Sequence, residues 1–447
     1  MRTYFLRQQD ACLPLLPPLF HTIALSRKPH SRLQDPLQRI LYPPPGEQVK
    51  FKNIIRTHKV PFALYCDFES YLQPVDGEGN IVNEHIPSGF CCLRVSSYPE
   101  YETPPVIYSG PNVVETFFKH LKAEKKEICR ILGFQAPMKQ LTAEQQSLYD
   151  SSIACYECGD AYSDKNYKVR HHDHVTGNFI GPLCRNCNLQ VKPRQGLIAK
   201  NHFAERVKLN NGTEVRNVEE EEKRYFIPIT FHNLRGYDAH HIIRHLKHDP
   251  MYETSISVIP NNSERYVSFE ICKLRFIDSC QFLSSKLSTL VKNLPKDKFH
   301  YTKRYMPDND LIFRKCIFPY QYMTGPEVME ETCLPPKEAF YDALKEKDIS
   351  DEKYEHAQQM WKEFRCETMR DYHDFYLKLD VLLLADVFEN FRLTASSSYG
   401  LDPLHYLTLP SYSWDACLKK TRVELDLLDD PEKFLMIENN VKVGHVR

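Results

Sequence analysis

No run of apolar residues in this chain reaches the ~18 that a membrane-spanning helix needs. The most apolar stretch near the amino end, Leu13 to Leu25, is broken by Pro14, Pro17 and Pro18, and it lacks the layout of a secretory signal. Net charge is nearly absent as well. The 58 basic and 59 acidic side chains leave −1, so any anionic partner must be held by a local patch and not by an overall field. No segment recurs at a fixed period, which excludes solenoids and propellers. What remains is the make-up of a folded chain, with 42% hydrophobic and 26% charged residues, and whole-chain disorder is excluded. A length of 447 residues accommodates two or three domains. Fifteen cysteines without a secretory leader point to thiols or metal ligands in a reducing, intracellular setting, and the odd count agrees.

Residues 1–50, rich in Pro, Leu and Arg and closed by Tyr42-Pro43-Pro44-Pro45-Gly46, read as an extended lead-in. A strand is expected over Val60–Glu69, with sheet neighbours at Gly89–Val95 and Val106–Tyr108. Helical spacing follows over Val113–Leu132 and over residues 141–150. From Cys155 to Asn188 the texture changes to closely spaced Cys, His, Asp and Gly, the mark of a small inserted module. Between Lys165 and Lys208 stand nine Lys or Arg residues against Asp173 and Glu205, a local basic segment. The acidic run Glu219–Glu222 reads as a solvated loop. Strand signals return at Tyr225–Phe231, followed by a helix over Asp238–Leu246. A hairpin is expected at Ser255–Pro260 and Tyr266–Ile271 about Asn261-Asn262-Ser263, with a further strand at Leu274–Ile277. Helices are expected over Ser350–Phe364 and Asp371–Arg392. The domain boundaries follow: lead-in 1–50, first part of the main domain 51–150, insert 151–200, second part 201–395, and a final segment 396–447.

Three carboxylate motifs stand in order. In Asp67-Phe68-Glu69, strand alternation puts both acids on one face, about 7 Å apart along the strand. Apolar flanks imply a mostly buried strand, where two carboxylates are costly without a cation such as Mg²⁺ or Mn²⁺. In Phe231-His232-Asn233-Leu234-Arg235-Gly236-Tyr237-Asp238 an apolar strand ends, a turn intervenes, and Asp238 opens a helix. An Asp there also suits a helix N-cap. In Tyr376-Leu377-Lys378-Leu379-Asp380, Tyr and Asp share one helix face, followed by a strongly apolar run that buries the helix.

In this order the motifs resemble the 3′–5′ exonuclease domain of family B DNA polymerases, in the phrasing of the protein-primed branch of the Maverick/Polinton type. Arg275-Phe276-Ile277-Asp278-Ser279, Phe318-Pro319-Tyr320, Leu334-Pro335-Pro336-Lys337 and Asp380–Phe391 are similar too, so the resemblance covers about residues 41–425. It implies an α/β, RNase H-like 3′–5′ exonuclease fold, a mixed sheet flanked by helices, with a mostly helical C-terminal part. It implies that Asp67, Glu69, Asp238 and Asp380 hold two Mg²⁺ or Mn²⁺ ions for an in-line displacement, with Tyr376 orienting the attacking water. Asn233 and Tyr237 match positions that hold a frayed 3′ end. Lys315 matches a lysine that supports the scissile phosphate, although Cys316 stands where Gly is usual. Ser279 matches an element that grips single-stranded DNA, with Cys280 replacing its Leu. The implied partners are single-stranded 3′ ends and primer-template DNA, a terminal protein and a separate polymerase half, with no membrane. A nuclear setting would follow from a eukaryotic transposon.

Cys155-x-x-Cys158 and Cys184-x-x-Cys187 form two pairs with the spacing of zinc knuckles, expected to hold one structural Zn²⁺. With Arg170-His171-His172-Asp173-His174-Val175-Thr176-Gly177 and Asn188 between and after them, the segment resembles the zinc-bearing HNH fold of endonuclease VII-type enzymes. There His172 would match the general base, and His174 and Asn188 would support metal or phosphate. His171 replaces the usual metal-binding Asp, so a zinc-stapled DNA-contacting knob is the expected role.

The palm carboxylates of a family B polymerase, an Asp-x-x-Ser-Leu-Tyr-Pro strand and an Asp-Thr-Asp hairpin, are not found in these residues. The expectation is therefore the amino-terminal, exonuclease-bearing part of such an enzyme. Two other readings stand beside it: a structure-selective HNH-type endonuclease, and a catalytically silent DNA-binding remnant.

Overall fold

A computed structural model describes residues 43–75, 83–133, 136–191, 206–208, 214–216, 226–246, 256–260, 266–342 and 346–440. Most of the expected lead-in, the acidic run Glu219–Glu222, the Asn261-Asn262-Ser263 turn and the basic residues between 192 and 205 lie outside the described residues.

The architecture is mixed α/β. Strands β1 (Phe62–Pro74), β2 (Asn83–Ser96) and β3 (Val106–Ser109) come first, followed by helices α1 (Val113–Gly133) and α2 (Ala143–Ser151). The insert holds β4 (Lys168–His172), β5 (Phe179–Cys184) and α3 (Arg185–Val191). The main body goes on with strand β6 (Ile227–Phe231), helix α4 (Asp238–Leu246), strands β7 (Ile256–Pro260), β8 (Tyr266–Ile271) and β9 (Leu274–Asp278), and helices α5 (Met369–Tyr399) and α6 (Leu409–Thr421), besides further helices that include Asp351–Glu363. One seven-stranded sheet runs in the order β7-β8-β9-β6-β1-β2-β3. The β9/β6 and β6/β1 pairs are parallel and the others antiparallel. The strands, the hairpin and the helices expected from periodicity are present, with ends that differ by a few residues. Strand β1 is the larger departure, because it continues past Glu69 to Pro74 against β2.

Strand alternation sorts β1 onto two cores. Phe62, Leu64, Cys66 and Phe68 meet α1 and α4 through Phe117, Leu121, Ala239 and Ile242. Ala63 and Tyr65 meet α5 on the other face, beside Leu377, Leu384 and Phe388. Asp67 and Glu69 are next in this second series, so parity alone sends both acids toward α5.

Helix α5 is held at both ends. Thr368 and Asp371 form a capping box at its start. Gly400 ends it in the left-handed conformation, φ 63°. Near the C-terminal end, Arg392 donates to Asp402 from Nε at 3.0 Å and Nη2 at 2.6 Å, with both side chains 2% exposed. Removing one member of such a buried pair costs about 3–5 kcal/mol, because a charge is left unpaired.

Candidate active site

Asp67 and Glu69 lie on β1, an interior strand, while Asp380 comes from the middle of α5. Their ligand oxygens all fall within 4.8 Å of one another. Asp238 opens α4, just past the carboxyl end of β6, and is 2% exposed. It stands outside the 4.8 Å group but close enough for its charge to act on Glu69. The Lys315 ammonium is paired with Asp380 Oδ2 and lies 5.3 Å above the Tyr376 ring. Tyr376 is 1% exposed and Asp380 2%, so the polar pair of this helix sits inside the core and not at its margin.

Crowded carboxylates in a dry setting resist ionisation. Burial, then the charge of Asp380, pushes the Asp67 carboxyl up to about 7. Burial and the charge of Asp67 raise Glu69 and Asp238 as well. Burial raises Asp380 despite the opposing pull of Lys315. Asp238 Oδ1 and Asp380 Oδ1 are buried without a hydrogen-bond partner. Clustered hard oxygens, two of them orphaned, with a single ammonium for compensation, fit a divalent ion of the Mg²⁺ or Mn²⁺ class.

This electrostatic conflict makes a prediction. Between its ordinary value of 3.8 and about 7, Asp67 binds a proton in the folded chain that it has lost in the unfolded one. Stability without Mg²⁺ or Mn²⁺ should therefore fall as pH rises through that window. Adding Mn²⁺ at pH 8 should raise the melting temperature by roughly 3–6 °C, an effect absent in Asp67→Asn. Melting curves at pH 5 and pH 8, with and without Mn²⁺, check this. An equal Mn²⁺ shift in the variant would contradict it.

Around the carboxylates, Asp278 joins two loops. Its oxygens accept the backbone N–H groups of Asn233 (2.9 Å), Arg235 (3.3 Å) and Cys280 (3.0 Å). Asn233 adopts the left-handed conformation, φ 69°, and its side chain folds over Gly236, where a Cβ would lie 2.5 Å from Asn233 Oδ1. The Tyr237 hydroxyl is 2.9 Å from His85 Nδ1. Ser279 is 1% exposed, with Oγ 2.9 Å from His232 Nδ1, so it braces the strand end beneath the site. Cys280 is the more open of the two.

The four knuckle cysteines also converge. The Sγ atoms of Cys155, Cys158, Cys184 and Cys187 lie within 4.8 Å of one another. Cys158 and Cys184 are 3.9 Å apart, close to the ~3.8 Å edge of a tetrahedron with 2.3 Å arms. The backbone N–H groups of Cys184 and Cys187 point at Sγ of Cys155 and Cys184, at 3.2 and 3.4 Å. Four thiols without a disulfide, with amides aimed at the sulfurs, fit Zn²⁺.

Asn188 Oδ1 is 3.1 Å from Nδ1 of His171, which is buried and edge-on to His58 with ring centres 5.3 Å apart. His172 and His174 form a ring pair at 4.8 Å. Asp173 caps the turn by accepting Val175 N and Thr176 N, and it accepts the Tyr98 hydroxyl from the main body.

Asp278 and Tyr320 lie outside the three carboxylate motifs. The Tyr320 hydroxyl is 2.9 Å from that of Tyr376. Both residues sit in stretches that resemble the polymerase family, but only the folded chain shows what they touch.

Among curated proteins and among solved structures nothing matches. Among the described residues no helix is long and apolar enough to cross a membrane. Residues 217–437, which include Asp238, Lys315, Tyr376 and Asp380, match a family model, and this stretch is therefore similar to DNA polymerase type B, organellar and viral.

Proposed function

We propose that this chain is the proofreading-exonuclease part of a protein-primed family B DNA polymerase of the Maverick/Polinton kind, acting in DNA replication on single-stranded 3′ ends. The observation that carries the reading is the mutual approach of Asp67, Glu69 and Asp380 to within 4.8 Å from elements far apart in sequence. The match of residues 217–437 to type B DNA polymerases supports it independently.

Asp67, Glu69 and Asp380, with Asp238 beside them, would hold two divalent ions. Bound there, the ions supply positive charge that activates a water and stabilises the leaving 3′ oxygen of an in-line displacement. The chain's own residues do the positioning. The Tyr376 hydroxyl, fixed by that of Tyr320, orients the water. Lys315 neutralises part of the carboxylate charge and faces the phosphate. Asn233 and Tyr237, on the loop that Asp278 ties to the end of β9, receive the 3′-terminal nucleotides. The zinc module serves as a DNA-contacting knob. Nucleotide addition is not assigned to these residues, since the palm carboxylates are not among them, and a terminal protein primer and a polymerase half would be partners.

The direct test is Mn²⁺-dependent shortening of a 5′-labelled single strand from its 3′ end. A blocked 3′ terminus should prevent it, and no primer extension should occur with dNTPs. A single strand left intact under these conditions overturns the reading.

Closed circular DNA separates this reading from the HNH-type endonuclease. We expect no nicking with Mg²⁺, because Asn188 is held by a buried His171 and both Asp173 oxygens are already occupied. Nicking by the parent protein that is lost in His172→Ala would favour the endonuclease instead.

A further inference from the structure

Asp380 and Tyr376 reach the strand carboxylates only if α5 lies at the right height over the sheet. A polar chain with no role in the proposed chemistry sits where that height is set. His373 precedes Tyr376 by one turn and Asp380 by two, on the same helix face. Its side chain is wholly buried. Nδ1 lies 2.8 Å from Asp374 Oδ1, and Nε2 lies 2.9 Å from Ser88 Oγ. Because an ionised carboxylate only accepts, Nδ1 donates to Asp374, and in the neutral ring Nε2 then accepts the Ser88 hydroxyl. Asp374 Oδ2 also accepts the Ser109 hydroxyl at 3.1 Å. The chain thus ties α5 to both β2 and β3.

The strand side is built for this contact. Glu69 pairs with Gly89 and Ser70 with Pro87, so Ser88 is the extra residue of a bulge immediately beside the Glu69 position. Bulges next to a site re-aim a side chain, and here the re-aimed group is the Ser88 hydroxyl. Gly89 provides the seat. A Cβ there would lie 2.6 Å from His373 Cε1 and 2.9 Å from the Tyr108 carbonyl oxygen. The imidazole therefore rests on the strand directly opposite Glu69. The grouping has the order of a hydrolase triad. Yet Ser88 is 1% exposed, which leaves its hydroxyl no path to a substrate.

We propose that the Ser88–His373–Asp374 chain, seated on Gly89, is a positioning device. It sets the distance of Asp380 and Tyr376 from Asp67 and Glu69, and through it the affinity of the carboxylate cluster for divalent ions. The proposal rests on the exonuclease reading. A misplacement of 1 Å in such a constellation costs roughly 100-fold in rate.

The test compares His373→Leu, which fills the ring's space without hydrogen bonds, with His373→Gln, whose amide keeps the bond to Ser88. Mn²⁺ affinity is read by electron paramagnetic resonance on the full chain, kcat and KM on a single-stranded oligonucleotide, and folding by thermal melting. The Leu variant should bind Mn²⁺ about tenfold more weakly and turn over roughly 100-fold more slowly, with KM for DNA within about twofold of the parent. The Gln variant should recover most of both losses. Parent-like Mn²⁺ affinity in the Leu variant, or equal impairment of both variants with lowered melting temperatures, overturns the proposal. Where the Leu variant does not fold, Ser88→Ala removes one hydroxyl from the same chain and should weaken Mn²⁺ binding about threefold; unchanged affinity there overturns the proposal as well. A parent protein without Asp67-dependent Mn²⁺ binding or hydrolysis would instead refute the exonuclease reading, and the positioning device with it.

Discussion

Asp67→Ala should slow hydrolysis of single-stranded 3′ ends by on the order of 10³–10⁴-fold, while the protein stays folded. Asp67 contributes to the only described cluster in which three hard oxygen donors approach one another within 4.8 Å. Removing it leaves Glu69 as the one strand carboxylate facing Asp380, with Asp238 outside the 4.8 Å group. Ions held by the remaining acids would lose both affinity and alignment, and in-line displacement depends on alignment. The fold should not suffer. Burial and the charge of Asp380 already push the Asp67 carboxyl up to about 7, which marks it as a destabilising group at neutral pH. The melting temperature without added Mn²⁺ should therefore be equal or higher in the variant. Time courses on a 5′-labelled strand, paired with melting curves, decide the matter. A rate within tenfold of the parent would remove Asp67 from the site. A collapsed melting curve would show that the residue was structural.

Withdrawing a Zn²⁺ held by the four thiols, by a chelator or through Cys184→Ser, should unfold residues 155–191 and leave the main body standing. The module has little else to hold it. Its apolar cluster consists of Cys155, Leu183, Cys184 and Cys187 with Ile54 lent by the main body. Two short strands and a seven-residue helix make a small core, and the binding energy of a Zn²⁺ on the four thiols would supply what such a core lacks. Its attachments should go with it. These include the Tyr98–Asp173 hydrogen bond at 2.9 Å and the backbone bonds from Ala136 to His174 and from Lys139 to Gly177, each 2.8 Å. Hydrogen exchange should show lost protection confined to the module, with one equivalent of Zn²⁺ released. Affinity for long DNA should fall about tenfold, since the exposed Lys165, Arg170 and Arg185 would no longer be held in place. Hydrolysis of short oligonucleotides should persist, because Asp67, Glu69 and Asp380 lie outside the insert. Protection unchanged after complete zinc loss would show that packing alone holds the module. A parallel loss of oligonucleotide hydrolysis would show that the module is part of the catalytic unit.

The amino-acid sequence by itself determined the features that depend on local periodicity. Strand alternation places Asp67 and Glu69 on one face, whatever the rest of the chain does. Helical spacing places Tyr376 and Asp380 together, and the turn before Asp238 puts that residue at a helix start. The two C-x-x-C pairs carry their chemistry in their spacing. Each is a relation between residues a few positions apart, which backbone geometry enforces almost alone. Long-range relations were settled by the tertiary structure. Only the packing of α5 across β1 and β2 brings Asp380 within ligand distance of Asp67 and Glu69, while the start of α4 places Asp238 outside that group. Only there does Lys315 meet Asp380, Tyr320 meet Tyr376, and Asp278 bind two loops together. The insert shows the same divide. Motif spacing marks His172, His174 and Asn188, and packing adds that Asn188 meets His171 and His171 meets His58. The reason is physical. Which side chains meet across elements depends on helix height, strand register and a bulge such as the one at Ser88, and these follow from how two whole cores fill space.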